Sequence, residues 1–341
     1  MDRRYSAAAS CEPTRWFSRR PLLSRSLTPV LALTMLAGCE KQDDHDPDQR
    51  TSRQAQPSQA PPAQVGEASP RPAGERYLLA YQDATYKPGT RLEFERVVKV
   101  MDAEVLVVSP KEKLTGTTRT TQTLKLTIGI VSERQAKVLV QSDREEGRQR
   151  IGPNLNPLRQ RIGALEGETI IFNLRGEGWT PELDQRKLQT GATVVRLVRE
   201  LLERKSDVLL YGLKPRAVGE SWTADPRHLP SLGGSNKEAT GSGSMRLEFR
   251  GVENEDGMDC AVLVGRVSLT RFDALTGKTA KQGTIRVTRS LTRLADLSIA
   301  FDGRMEVIGS PTNGITISTT GPYQMTQRLR IMDTAARADT P

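Results

Sequence analysis

Cys39 has the clearest chemistry in this chain. Two small residues, Ala37 and Gly38, precede it, at the end of an apolar run over 27–37. A basic stretch with Arg3, Arg4, Arg15, Arg19, Arg20 and Arg25 comes before that run. Small residues next to the sulfur leave the backbone accessible to a peptidase. The thiol can take a diacylglyceryl group, and the amine freed by cleavage between Gly38 and Cys39 can take another acyl chain. The run of 11 residues is too short to span a bilayer, which takes about 20 in a helix. It matches the middle zone of an export leader.

The rest of the chain is poor in reactive constellations. His45 precedes the folded region, and His228 sits in a loop-like Asp225-Pro-Arg-His-Leu-Pro230 context, so a His-based triad would have one poorly placed base. One histidine and Cys260 cannot build an ordinary zinc site, which takes several His or Cys ligands. Gly277-Lys278-Thr279 has the tail of a phosphate loop, but Phe272 stands where its first glycine belongs. Glu145-Glu146 and Glu253/Glu255 are close carboxylate pairs in apparent turns, where water satisfies them. A carboxylate hydrolase stays open as an alternative, because its two acids can be far apart in sequence. Cys260 lies in the strand-like run 258–264 and reads as a buried, inert thiol. No catalytic, metal or cofactor-binding residue is expected, and no cofactor.

Leu36-Ala37-Gly38-Cys39 resembles the lipobox of bacterial lipoproteins at all four positions. The resemblance implies that residues 1–38 are a signal peptide and that Cys39 is the lipid-attachment residue. Several acyl chains at about 0.8 kcal/mol per buried methylene make a firm anchor. The partner implied is the membrane itself. Glu40, rather than Asp, follows the cysteine, which in such proteins implies the outer membrane, facing the periplasm, with surface display open. Ser18-Arg19-Arg20-Pro21-Leu22-Leu23 resembles a twin-arginine export motif, and either export route remains open.

These residues need a body to act from. Residues 39–75 are rich in Gln, Pro, Ser, Ala and Asp and nearly free of large apolar side chains. Such a segment cannot offset chain entropy by burial and reads as a disordered tether. Its random-coil reach is on the order of 30–35 Å. Residues 76–332 are long enough for a substantial core, in one β-rich domain or two related halves at about 76–213 and 214–332. A faint echo between 124–140 and 245–264 suggests the halves. Residues 333–341 read as a disordered tail.

The full chain carries a net charge of +9. Without the leader's six Arg, Asp2 and Glu12 the balance is +5, and the acidic tether leaves the domain at about +8. A basic, exported domain suits anionic membrane or cell-wall polymer. Dispersed charge and few aromatics argue against nucleic acid.

Period-two alternation dominates the domain. Leu124, Leu126, Ile128 and Ile130 form one stripe against Lys125 and Thr127. Leu92 and Phe94, Val138 and Val140, Leu247 and Phe249, Val262 and Val264, Ile285 and Val287, and Ile315 and Ile317 repeat it. One wet and one dry face predict antiparallel sheet. Hairpin signals fall at 176–178, 254–257, 276–277, 302–303 and 312–314. One amphipathic helix is predicted at 192–205, docked by Val194, Val195, Leu197, Val198, Leu201 and Leu202. A weaker helical turn is placed at 157–165. Val218-Gly219-Glu220-Ser221-Trp222 after Lys214-Pro215 resembles a Val-Gly-Asp-Ser-Trp signature of uncharacterised exported lipoproteins; Gly163–Glu168 and Gly176–Gly178 resemble their hairpins. That resemblance implies a sheet like that of lipoprotein-carrier proteins and implies no activity.

The expected fold is therefore mainly β (α+β): a long antiparallel meander forming a curved sheet or half barrel, with one docked helix. The expected role is a lipid-anchored envelope protein that binds or scaffolds a protein, lipid or cell-wall partner without catalysis. A carrier of lipid or acyl chains in a half-barrel cavity is the further alternative.

Overall fold

Alternating residues become very long strands. The computed structural model describes residues 74–333, apart from 83, 153, 177, 230, 231, 233–239, 274–276 and 313. Cys39, the leader, the tether up to residue 73 and the tail from residue 334 lie outside the described residues. The N-terminal run gives β1 (Arg76–Tyr77), β2 (Thr90–Val108), β3 (Lys113–Ser132), β4 (Gln135–Ile151), β5 (Asn154–Ile162), β6 (Thr169–Arg175) and β7 (Gly178–Pro181). Three helices follow: α1 (Gln185–Thr190), α2 (Ala192–Glu203) and α3 (Lys205–Tyr211). Then come β8 (Arg216–Ala217), β9 (Ser221–Ala224), β10 (Thr240–Glu255), β11 (Met258–Asp273), β12 (Gly277–Ser290), β13 (Asp296–Thr312) and β14 (Ile315–Asp333).

Twelve strands form one open antiparallel sheet in the order β7-β6-β4-β3-β2-β14-β13-β12-β11-β10-β9, with β5 also on β4. The two meanders meet where β14 pairs with β2. The helices connect the two edges, and their contacts reveal how far the sheet curls. Arg199 in α2 donates to the Trp179 carbonyl of edge strand β7 at 2.8 Å. The Leu210 carbonyl in α3 accepts from Trp222 Nε1 of edge strand β9 at 2.9 Å. At about 1.5 Å per residue the helices between these contacts span under about 20 Å. Eleven strands laid flat at about 4.8 Å spacing would separate the edges by about 48 Å. The sheet therefore bends into a trough, with the helices across its concave side.

Alternation places the dry face inside. Residues 317, 319, 321, 323, 325, 327 and 329 of β14 are all buried, while 322, 326, 328 and 330 are exposed. Two cores fill the trough. One joins Leu92, Phe94, Leu126, Ile128, Val138, Val140, Ile170 and Phe172 to Val194, Val195, Leu197, Val198 and Leu202 of α2. The other joins β9–β14 to Leu210 and Tyr211 of α3. Each buried Val or Leu of α2 contributes roughly 1.5–3 kcal/mol as an upper estimate, so this face holds the helix in place.

Glycines let two central strands come unusually close. Gly283 and Gly303 pair across β12 and β13. A Cβ on Gly303 would lie 2.1 Å from Gln282 O and 2.7 Å from Gly283 Cα. Backbones approach this closely only where both side chains are absent.

Three local expectations are corrected. Asp302-Gly303 lies inside β13, with Gly303 paired to Gly283, and not in a hairpin turn. The helical turn placed at 157–165 is mostly strand β5, because its residues pair along β4. The helix over 192–205 ends at Glu203: Arg204 turns left-handed at φ 53°, and α3 starts afresh. Elsewhere the turn at 254–257 does join β10 to β11, with Asp256 and Gly257 both at positive φ, as a tight primed turn requires.

Candidate functional site

β4 is the strand that builds the site. Val138 and Val140 face the trough, opposite Ile128 and Leu126. Between Lys125 and Leu126 the register slips, and β4 gains one residue against β3. A bulge of this kind reverses which parity faces inward. Beyond it Asp143 lies opposite Leu124 and Glu145 opposite Gln122, on the concave side. The pair Glu145-Glu146 is thus split within a strand, and neither lies in a turn. Glu145 looks inward, and Glu146 accepts from Gln160 outside, at 3.0 Å.

The neighbouring turn secures the bulge. Gly167 donates to Val140 O, and Val140 donates to Glu168 O, at 2.8 and 3.0 Å. Glu166 accepts from the Asp143 amide at 2.9 Å and pairs with Arg144 at 2.7 Å. Leu165 is fully buried, against Gly191 at the start of α2. Gly163 makes room for the carboxylate: a Cβ there would stand 1.7 Å from Asp143 Oδ2.

A cleft of about 100 Å³ opens here, between the sheet and the first turn of α2. Arg96, Gln122, Asp143, Glu145, Arg161 and Thr193 supply its polar lining. Arg96 opposes Gln327 across β2 and β14. Gln327 is buried, and its Oε1 has no hydrogen-bond partner. Burial holds the Arg96 guanidinium below its ordinary range, against the pull of Tyr323, Asp143 and Glu200. Burial likewise raises Asp143, opposed by Arg161 and Arg96, and raises Glu145, opposed by Arg161 and Gln122. With Arg144 held by Glu166, the cleft thus offers the guanidinium groups of Arg96 and Arg161 as donors and two carboxylates that take up protons more readily than in water. It can hold a small group with both donors and acceptors, and it can exchange a proton with that group.

The raised carboxylates give a signed prediction. A folded-state pKa above the unfolded value means that the folded chain binds the proton more tightly. The stability these groups contribute then falls as pH rises through the folded pKa. Asp143→Asn with Glu145→Gln will raise the melting temperature at pH 7.5 by a few degrees, and the gain will shrink at pH 3.5. Calorimetry at the two pH values checks this; an equal shift at both would remove burial of charge as the cause.

A second polar cluster was not visible in the sequence. Arg289 of β12 is fully buried. Its guanidinium donates to Leu79 O at 2.5 Å, Asp296 Oδ1 at 2.5 Å and Asp207 Oδ2 at 2.8 Å. The Tyr211 ring lies 4.2 Å away, and its hydroxyl donates to Asp296 at 2.9 Å. Arg204 binds Asp207 at 3.0 Å and also donates to Leu294 O. Arg204 stands over Tyr86, whose hydroxyl burial pushes up to about 12. Burial alone would depress Arg289, but Asp296 and Asp207 hold it above its ordinary value. Each of the three Arg289 guanidinium nitrogens has an acceptor, so this cluster fastens α3 to the sheet.

The other candidates are placed as follows. His228 ends a 3-10 turn at Pro226–His228. Glu253 pairs with Arg286 at 3.0 Å on the outer face. Gly277 opens β12. Cys260 is buried, and burial pushes its thiol up to about 11. Among the described residues no group of three or more His, Cys, Asp or Glu could hold a metal ion. Trp222 packs on the β9–β14 core beneath Arg216, 4.7 Å from its ring.

No family model matches the chain, and no curated protein matches it. The solved structures similar to it include lipovitellin, in a structure concerned with lipid–protein interactions (TM-score 0.37, 10% identity, 73% of this chain and 26% of that one). They also include an outer membrane channel from Pseudomonas putida F1 (0.17, 7%, 74% and 99%). A third is the outer membrane protein OprG from Pseudomonas aeruginosa (0.15, 9%, 72% and 98%). The chain spans about a quarter of the lipovitellin chain.

Proposed function

We propose that this protein is a lipid-anchored binding protein of the cell envelope, attached through Cys39 to the outer membrane and facing the periplasm. The polar cleft of Arg96, Asp143, Glu145 and Arg161 is the observation that supports a binding role. Its volume of about 100 Å³ is below the roughly 300–1,000 Å³ of sites that enclose a small molecule. It suits the end of a larger partner, such as a polar group projecting from cell-wall polymer or from another envelope protein. An acyl chain would need an apolar cavity, and α2 occupies the apolar part of the trough. A carrier role would therefore require α2 to leave its seat. The outer face carries Glu93, Glu95, Lys125 and Lys137, exposed or half-buried. That suits a body beside a membrane better than a lipid-facing barrel wall.

The anchor has a direct test. Metabolic labelling with an acyl-alkyne probe will mark the wild type and leave Cys39→Ala unmarked; equal labelling refutes the anchor. For the cleft, native mass spectrometry will find a co-purified component on the wild type. Arg96→Ala will lose it.

A second reading has its own support. An acid–base hydrolase uses two carboxylates in one cleft, with burial raising the one that acts as acid, and Asp143 and Glu145 supply two acids in one cleft. On that reading purified protein releases soluble fragments from cell-wall polymer, and Glu145→Gln lowers the rate by 10²-fold or more. Retention of the partner without release selects the binding role.

A further inference from the structure

We infer that the segment pair 78–81 and 209–218 is a membrane-contact surface that lays the domain directly on the bilayer holding its anchor. The inference rests on the anchored reading for the identity of that bilayer. Ten large apolar residues are exposed on the described chain, and five of them, Leu78, Tyr81, Leu209, Leu213 and Val218, fall in these two short segments. The fold brings the segments together. β1 pairs antiparallel with β8, Tyr77 opposite Arg216, so the chain at Leu78 runs on toward Pro215 and Leu213. Arg289 donates to Leu79 O and lies against the Tyr211 ring, tying the exit of β1 to the end of α3. In α3, Leu210 and Tyr211 are buried, while Lys205 and Leu209, four apart, point outward on one stripe.

Two further observations choose the occupant. The tether enters the domain at this spot. Thirty-four residues lie between Cys39 and Gly74, and Arg76 is then pinned by Pro215 O at 3.0 Å and Glu220 at 2.9 Å. The chain that leads back to Cys39 thus leaves the domain beside this surface. The charge also fits. Lys87, Lys205 and Lys214 are exposed beside it, Lys205 also 4.0 Å from Glu203, on a domain that is basic overall. Glu75 and Glu220 are engaged by Tyr77 and by Arg76 with Arg216. Exposed apolar side chains with lysines on the same segments match an anionic phospholipid surface, where each basic residue adds attraction that salt screens. The tether therefore does not hold the domain away from the bilayer; it permits the domain to lie down.

Spin-label accessibility tests this. Full-length protein in a Cys260→Ala background is reconstituted in 3:1 phosphatidylethanolamine/phosphatidylglycerol vesicles, with a nitroxide at Leu209→Cys or Leu213→Cys. Labels at Leu139→Cys and Ile162→Cys, exposed apolar positions elsewhere, are the controls. The expected result is a threefold or greater fall in collision with an aqueous nickel relaxant at 209 and 213 on adding vesicles, with no change at 139 and 162. Lys205→Glu with Lys214→Glu will reverse most of that fall. Equal nickel access at all four positions overturns the inference. Flotation of wild type against Cys39→Ala scores the anchor separately. Should both fail to float, the anchor reading falls, and the same nickel readout with vesicles in excess still decides the surface.

Discussion

Replacing Arg289 with methionine will destabilise the domain by about 3–5 kcal/mol. The side chain has no solvent exposure and neutralises Asp207 and Asp296 together. Methionine fills much of the volume but leaves both carboxylates facing each other without their cation. It also leaves the Leu79 carbonyl without its donor. Arg204 still reaches Asp207, but nothing replaces the bond to Asp296 except the Tyr211 hydroxyl. Arg286 is the control, three residues earlier on the outer face of the same strand. It pairs with Glu253 in solvent, and Arg286→Ala will cost less than about 1 kcal/mol. Urea unfolding separates the two variants by midpoint at a common slope. Equal midpoints would mean that the buried cluster contributes nothing beyond a surface pair. Because Asp207 lies in α3, partial unfolding of the Met variant will begin with loss of the helices from the trough.

Gly303→Val carries the second large expectation. Its Cβ would fall 2.1 Å from the Gln282 carbonyl, a contact that only a shift of the strand backbone can relieve. Relieving it forces β12 and β13 apart and lifts the β9–β14 side of the trough off α3. The cost will exceed about 4 kcal/mol, and the variant will bind a dye for exposed apolar surface under native conditions. Gly129→Ala supplies the contrast. A Cβ there meets only Lys137 O, at 4.0 Å, and that variant will stay within about 1 kcal/mol of wild type. If the two variants unfold alike, the sheet does not depend on the close approach of the glycine pair.

Both expectations concern residues that look ordinary in the sequence. Arg289 is one of two arginines in the last hundred residues flanked on both sides by β-branched or hydroxyl residues, and Arg286 is the other. Nothing local marks it as buried. Its partners are 82 and 210 residues away, at Asp207 and Leu79. Gly303 follows Asp302, a pair that elsewhere makes a hairpin turn. Here the pairing of Gly303 with Gly283 overrides the local preference.

The reactive groups divide the same way. Asp143 and Glu145 were legible as acids but not as a pair facing Arg96, because one inserted residue in β4 decides which side they face. Alternation cannot locate a bulge, since the slip is a relation between two strands. The Arg96–Gln327 pairing joins β2 to β14, the first and last long strands, and no local pattern encodes it.

Sequence alone determined what depends on near neighbours. The period-two stripes specified the strands and their dry face, Asp256-Gly257 specified a primed turn, and the apolar spacing of 194–202 specified a helix with one buried side. It also raised the expectation, which the proposed labelling tests, that Cys39 takes a lipid. Only the tertiary structure decided the curl of the sheet, the burial of Arg289, the aim of Asp143 and Glu145, and the gathering of Leu78 with Leu209 and Leu213. The reason is physical. Periodicity and turn chemistry act over a few residues, whereas burial of charge and the meeting of sheet edges depend on which distant strands pair.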